Sequence, residues 1–169
     1  VGFGVERMEV SGIGETSATQ RSLRAEGHLT PLHGIEVTFG RLEKEQTTRD
    51  WTPSQGEAPY TIGVKAYPVQ VSYVLSLPIQ GFPIRPFFRV GGDWVRVTDR
   101  FRSDTPEETM KSTLWGIHSG AGARLLLPRG LSVSVGTDYR AFRKEEERPA
   151  RSMDLDGWSL GVGVSLRLF

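Results

Sequence analysis

The sequence predicts an all-β chain, an eight-stranded antiparallel up-and-down transmembrane β-barrel, and three observations carry that prediction. First, along residues 157–168 every even position is apolar (Trp158, Leu160, Val162, Val164, Leu166, Leu168) and every odd one is small or polar (Gly157, Ser159, Gly161, Gly163, Ser165, Arg167). Side chains alternate faces along a strand, so one face is greasy and the other carries glycine, serine and arginine. Second, the connections around Pro31, Pro78 and Pro128 are short, whereas those at 15–22, 45–59, 102–111 and 143–154 are longer and charged. Short turns at one end and long polar loops at the other are the habit of membrane barrels. Third, Trp94, Trp115, Tyr139 and Trp158 each lie about 8 to 12 residues from the short-turn end of their strand. At ~3.3 Å per residue and a tilt of ~40°, that spacing is roughly 20–30 Å, the height of an apolar band between two aromatic girdles.

The elements follow in order. The first strand spans about residues 1–14, with Val1, Phe3 and Val5 on one face and an expected slip of phase near Arg7. The second, about 23–30, sets Leu23, Ala25, Gly27 and Leu29 against Arg24, Glu26, His28 and Thr30. A tight turn at Pro31-Leu32-His33-Gly34 leads into the third, where Ile35, Val37 and Phe39 oppose Glu36, Thr38 and Gly40 before a charged run over 41–50. The fourth is long, about 60–77. Its upper part aligns Tyr60, Ile62, Val64 and Ala66, its lower part Val69, Val71, Tyr73, Leu75 and Leu77, so a bulge is expected at Tyr67-Pro68. The fifth, about 86–99, carries Phe88, Val90 and Trp94 opposite Arg89, Gly91 and Asp93. The sixth, 113–127, sets Trp115, Ile117, Ala121, Ala123, Leu125 and Leu127 against Gly116, His118, Gly120, Gly122 and Arg124. After the turn at Pro128-Arg129-Gly130, the seventh, about 131–141, opposes Leu131, Val133, Val135 and Tyr139 to Ser132, Ser134, Gly136, Asp138 and Arg140. Residues 157–168 form the eighth, and the helix-compatible stretch 105–111 is read as loop.

Composition bounds the alternatives. A chain of 169 residues with 37% hydrophobic content makes one domain, 1–169. No run approaches the ~18 apolar residues of a transmembrane helix. With 21 Lys plus Arg against 20 Asp plus Glu, nothing points to nucleic acid, and the lack of cysteine excludes disulfides and thiolate metal sites. No leader pattern is present, which fits either a cytosolic chain or a mature form whose signal peptide was removed; the second is the expectation.

Alternation alone does not separate lipid from water, because a soluble barrel has the same period with its faces inverted. The polar face decides. It gathers Glu6, Arg24, Glu26, His28, Glu36, Lys65, Arg89, Asp93, His118, Arg124, Asp138, Arg140 and Arg167, together with most of the strand glycines. An eight-stranded interior is only just wide enough for side chains. It cannot hold Trp94, Trp115 and Trp158 together, but it can hold charges beside glycine. The near-balance of cations (Arg24, Lys65, Arg89, Arg124, Arg140, Arg167) and anions (Glu6, Glu26, Glu36, Asp93, Asp138) predicts an ion-paired plug rather than a selective ring. Trp94, Trp115, Tyr139 and Trp158 are assigned to one membrane interface, and Phe3, Tyr73, Phe88 and Phe169 to the other.

With these residues laid out, the chain resembles the small eight-stranded OmpA-like outer-membrane barrels of Gram-negative bacteria. The likeness is strongest over Val69 to Trp94, in VSYVLSLPIQGFPIRPFFRVGGDW, and extends to LLLPRGLSVSVGTDY and the terminal WSLGVGVSLRLF. It covers essentially the whole chain, its motifs are architectural, and no peptidoglycan-binding domain is recognisable. The resemblance implies periplasmic short turns, extracellular long loops and an outer-membrane location. It also implies a structural, anchoring or surface-interaction role without catalysis or cofactor. Its expected partners are outer-membrane lipid and lipopolysaccharide, the barrel-assembly machinery and another envelope protein.

Two other classes are weighed. One is a soluble, lipocalin-like binder of a small apolar ligand, with all faces inverted. The other is a lipid A-modifying barrel enzyme, for which His118-Ser119 invites comparison with a lipid-facing Ser, His and carboxylate. Adjacent strand residues face opposite ways, so His118 would point inward and Ser119 outward. His28 and His33 lack metal-ligand spacing, the run Arg143 to Arg148 reads as a solvated loop, and Gly120 to Arg124 is not a phosphate loop because no helix follows.

Overall fold

A computed structural model describes residues 2–10, 16–52, 56–102, 108–143 and 156–166. Eight strands occupy nearly all of it: β1 (Gly2–Val10), β2 (Thr16–His28), β3 (His33–Thr52), β4 (Gly56–Ser76), β5 (Ile84–Arg102), β6 (Glu108–Leu126), β7 (Leu131–Phe142) and β8 (Gly157–Leu166). Each strand pairs antiparallel with its sequence neighbours, and β1 pairs with β8, so the barrel closes in simple up-and-down order. Closure removes every edge, which allows such a sheet to sit in hydrocarbon with its backbone satisfied.

The short turns match expectation. The β6–β7 connection is a single 3-10 turn, Pro128–Gly130, with Arg129 at φ 63° and Gly130 at φ 77°. Glycine takes that left-handed region without cost, and arginine tolerates it only because the hairpin enforces it. Gly81, at φ 79°, turns the β4–β5 connection.

The other end differs from expectation. The charged run after Phe39 does not leave the sheet: β3 and β4 stay paired out to Thr52↔Gly56. Likewise β2 begins at Thr16, β5 continues to Arg102 and β6 starts at Glu108. Much of the sequence assigned to loops is therefore strand that continues past the apolar band. The polar residues there looked loop-like because their outward face meets water rather than lipid. Residues 144–155, which hold most of the fourth expected loop, lie outside the described residues.

The two expected slips are absent. The register of β1 on β2 runs unbroken from Gly2↔Arg24 to Val10↔Thr16, through Arg7↔Thr19. On β4, Phe39↔Val69 and Leu42↔Ala66 keep one register either side of Pro68, and β5 pairs straight through it at Pro68↔Val95. No bulge forms. The proline ring is accommodated because Gly40 leaves room for it. A Cβ on Gly40 would lie 2.8 Å from Pro68 Cγ and 2.7 Å from Gln20 Nε2.

The two faces sort by chemistry. Outside, Phe39, Phe88, Trp115, Ile117, Trp158 and Leu160 are exposed, Trp115 by 66% and Leu160 by 59%. Inside, Glu36, Asp93, His118, Asp138 and Arg140 are buried, Asp93 by all but 1% and Arg140 by all but 2%. A soluble barrel has the reverse arrangement, so the inverted-face alternative does not describe this molecule.

Candidate functional site

The chemistry of the chain lies along the barrel axis, and inward-pointing strand positions place it. On β3 the even residues Gly34, Glu36, Thr38 and Leu42 are buried while Ile35 and Phe39 are exposed. Glu36 stands directly opposite Glu26 on β2. Two carboxylates facing each other across a ladder repel, and cations relieve them. Arg24 reaches Glu36 at 3.2 Å, and Arg124 reaches Glu26 at 2.6 Å from the far side of the barrel. Arg89 on β5 bridges the lumen: its Nη1 donates to Glu36 Oε1 at 3.2 Å, its Nε to Asp138 Oδ1 at 2.5 Å and its Nη2 to Asp138 Oδ2. Arg24, Glu36, Arg89 and Asp138 thus form one continuous chain of ion pairs. Beneath it Phe87 is buried, with the Arg89 and Arg124 guanidinium carbons 6.0 and 5.7 Å from its ring centre.

Above this chain sits a second hydrogen-bonded layer. Gln70 donates to Asp93 Oδ1 at 2.6 Å, His118 Nδ1 lies 2.9 Å from Asp93 Oδ2, and His118 Nε2 lies 2.8 Å from Ser72 Oγ. A carboxylate only accepts, so Nδ1 carries the hydrogen toward Asp93, and a neutral His118 accepts from Ser72. These contacts have the order of a Ser-His-Asp relay. They lack its other requirements. Ser72 and His118 are buried, and the strands flanking Ser72 are hydrogen-bonded ladders whose N–H groups are not free to form an oxyanion hole. Ser119, the serine singled out by sequence, faces outward as its neighbour faces in. Arg140 completes the layer by donating to Gln20 Oε1 at 3.1 Å.

Of the predicted lumen residues, the structure brings Arg24, Glu26, Glu36, Arg89, Asp93, Arg124, Asp138 and Arg140 into the interior. The backbone of Glu6 pairs with Gln20 and Gly161, but its side chain lies outside the described residues, as do Arg167 and Phe169. Lys65 is a correction. It lies on the outer face and holds Glu43 Oε1 at 2.6 Å, because the absence of a bulge keeps the odd β4 positions outward on both sides of Pro68, from Lys65 to Tyr73. Trp94, Trp115, Tyr139 and Trp158 all face outward. They pair across strands as Trp94↔Trp115 and Tyr139↔Trp158, with ring centres 6.3 and 5.2 Å apart. Toward the short turns, Tyr73 and Phe88 are exposed, with His33 stacked on Tyr73 at 5.8 Å.

Sequence reasoning missed the layer above Asp93. There the interior turns apolar: Ala18, Leu42, Val64, Ala66, Val95, Val97 and Leu114 pack together, with Phe142 against them. The outer face turns polar at the same level, with Arg21, Arg41, Glu43 and Arg96 exposed. Val64 and Ala66 were visible as an alternating pair, but their opposite sense to Val69 and Val71 read as a slipped strand. It is a change of environment on an unslipped one.

No protein-family model and no curated protein matches the sequence. Among solved structures, the chain is similar to Neisserial surface protein A, with a TM-score of 0.72 and 13% identity over 99% of this chain and 95% of that one. It is similar to Ail, the attachment invasion locus protein of Yersinia pestis (TM-score 0.62, 14% identity, 99% and 95% covered). It is also similar to the N-terminal β-barrel domain of Pseudomonas aeruginosa OprF (TM-score 0.54, 15% identity, 96% and 94% covered). The chain has the fold of the small eight-stranded outer-membrane barrels.

Proposed function

We propose that this chain is a non-enzymatic outer-membrane barrel of a Gram-negative bacterium. Its closed lumen makes it an anchor that presents its long-strand end outside the cell. The observation that supports this most is the stacking of two seals inside one barrel: a cross-lumen ion-pair chain through Arg89 and, above it, the apolar layer around Leu42, Val95 and Leu114. A channel lined this way offers neither a wet path nor a single-sign ring to a permeant ion. Function then resides at the loop end, as structural anchoring or surface interaction. Ail, which shares the fold, has been solved with the heparin analogue sucrose octasulfate, and a surface-interaction role here is read by that analogy. The barrel-assembly machinery, lipopolysaccharide and a further envelope protein are the partners this reading implies.

Reconstitution tests it. Folded into phospholipid vesicles, the protein should show heat-modifiable migration on a gel, and vesicles loaded with a small sugar should not swell faster than empty ones. Rapid swelling would overturn the closed lumen, and purification from plain buffer as a monomer would overturn the membrane reading.

A further inference from the structure

Register fixes how the inward residues stack along the lumen. Followed once around the barrel, the partners of His28 run through Val74, Arg89, Asp138 and Met8 and return to β2 at Ala18, ten residues nearer the loop end. For eight strands ~4.8 Å apart, that shift is a tilt of ~40°. A row of partners then climbs ~3 Å per strand, while each residue along a strand climbs ~2.5 Å. The row from His28 reaches β5 at Arg89, three strands on and ~9 Å higher. Arg85, four residues below Arg89 on the same inward face, is therefore level with His28. Arg124 is the direct partner of Arg85 and stands one step of the row above it. By the same reckoning Ser76 and Ser132, both buried, share this level.

This level carries an uncompensated pair. Like charges directly opposite on a ladder destabilise it. The carboxylates of Glu26 and Glu36 face each other in that way, and Arg24 and Arg124 relieve them. Arg85 and Arg124 also face each other, but Glu26 serves only Arg124 and is shared with His28 at 3.6 Å. Among the described residues Arg85 has no hydrogen-bond or ion-pair partner, and Arg124 Nε is buried without an acceptor. No described carboxylate lies nearer the short turns than Glu26, whereas Arg85, Arg124 and Arg129 all do.

We infer that Arg85 and Arg124 form a binding site for a phosphate group at the short-turn mouth of the lumen. Two guanidinium groups on adjacent strands offer charge-assisted, forked donors to one anion. A phosphate has enough acceptor oxygens to take both arginines and the hydroxyls of Ser76 and Ser132 together, which a carboxylate or a halide does not. The ion-pair chain through Arg89 closes the lumen above, so the site is entered from the short-turn end and leads nowhere. The site rests on the barrel alone; that its phosphate comes from the periplasmic side rests on the outer-membrane reading.

Calorimetry on the folded barrel in a neutral detergent, at fixed ionic strength, tests the site with inorganic phosphate and separately with phosphatidylglycerol. Binding should saturate at one phosphate per barrel. R85Q should weaken it about tenfold or more, the fold-change of one hydrogen bond to a charged group. R129Q removes the same charge from the neighbouring turn and should change it less than about twofold. R85Q leaves no carboxylate stranded, so it carries the test if R124Q, which strands Glu26, does not fold by heat-modifiable migration. Saturation by inorganic phosphate identifies a soluble source, and saturation by phosphatidylglycerol alone identifies an inner-leaflet headgroup; both uphold the site. No saturation with either probe, or equal loss in R85Q and R129Q, overturns it. Acetate binding as tightly as phosphate overturns the phosphate assignment. A barrel that binds phosphate but does not insert into vesicles keeps the site and defeats the outer-membrane reading.

Discussion

Replacing Arg89 with methionine removes the cation that Glu36 and Asp138 share. The two carboxylates are not left in the same position. Glu36 keeps Arg24 at 3.2 Å, whereas Arg89 is the cation described on Asp138, itself only 1% exposed. Truncating one member of a buried pair strands the other charge, at a cost of about 3–5 kcal/mol. The Arg89→Met barrel should therefore unfold from phospholipid vesicles at a clearly lower urea midpoint, followed by the fluorescence of its 4 tryptophans. Adding Asp138→Asn to Arg89→Met neutralises the stranded charge and should recover more than half of the loss. That recovery separates the electrostatic account from a packing account, in which the second change would add damage. A midpoint for Arg89→Met within about 0.5 kcal/mol of the parent, or a double variant no better than the single, would refute the ion-pair chain as a stabilising plug.

Leu114→Ala, in the apolar layer and 2% exposed, should cost about 2–5 kcal/mol in the same urea assay; an effect like that of a surface site would show that the layer is not packed. A Cβ on Gly120 would overlap the Asp138 carboxylate and come within 2.5 Å of the Thr137 carbonyl. Gly120→Ala should therefore lower the heat-modifiable folded fraction, while Gly27→Ala, with nothing within 4 Å, should not. The Glu43 carboxyl lies above the apolar band, where hydrogen bonds from Lys65 and then Arg41 hold it below its ordinary value. A depressed folded value means the cluster is complete above the ordinary carboxylate range and loosens as pH falls through the lower, folded one. Carbon-detected NMR of Glu43 should show this depression, and Lys65→Met should raise the midpoint.

The eight strands were legible because one apolar face imposes a strict period of two, as in Leu160, Val162 and Val164; that this face points outward was legible only from the charged, glycine-rich face opposite it. The charged interior was legible as a list, since Arg89, Asp93 and Asp138 share the face opposite Phe88, Trp94 and Tyr139. Their partnering was not. Arg124 meets Glu26 across 98 positions and Arg140 meets Gln20 across 120, and nothing local in the sequence encodes which strands face each other over the lumen. Gln20 escaped notice for a second reason. It lies in a segment whose outward neighbours, Thr19 and Arg21, are polar, so the stretch read as loop although Ala18, Gln20 and Ser22 are buried.

The level at which each strand exchanges its apolar face fixes the height of the barrel in the bilayer. Sinking it by two residues would carry Arg21, Arg41 and Arg96 into the hydrocarbon margin, where lipid-facing cations cost from ~0–1 kcal/mol at the interface up to ~2–4 kcal/mol at the midplane. Raising it would expose Leu23, Phe39 and Trp94 to water, each losing about 1.5–3 kcal/mol of burial. Both penalties grow from the same boundary, so the barrel has one preferred depth. The interior obeys that boundary too. Below it the inner residues are Ser72 and Arg89, and above it they are Val64, Val95 and Val97, where the wall stands in water and its core is built as a soluble protein's is. Pro68 and Gly40 lie at the crossing on neighbouring strands, where a missing N–H and a missing side chain coincide. Exchanging Gly40 for alanine would therefore press on Pro68 and Gln20 at the level where the two chemistries meet.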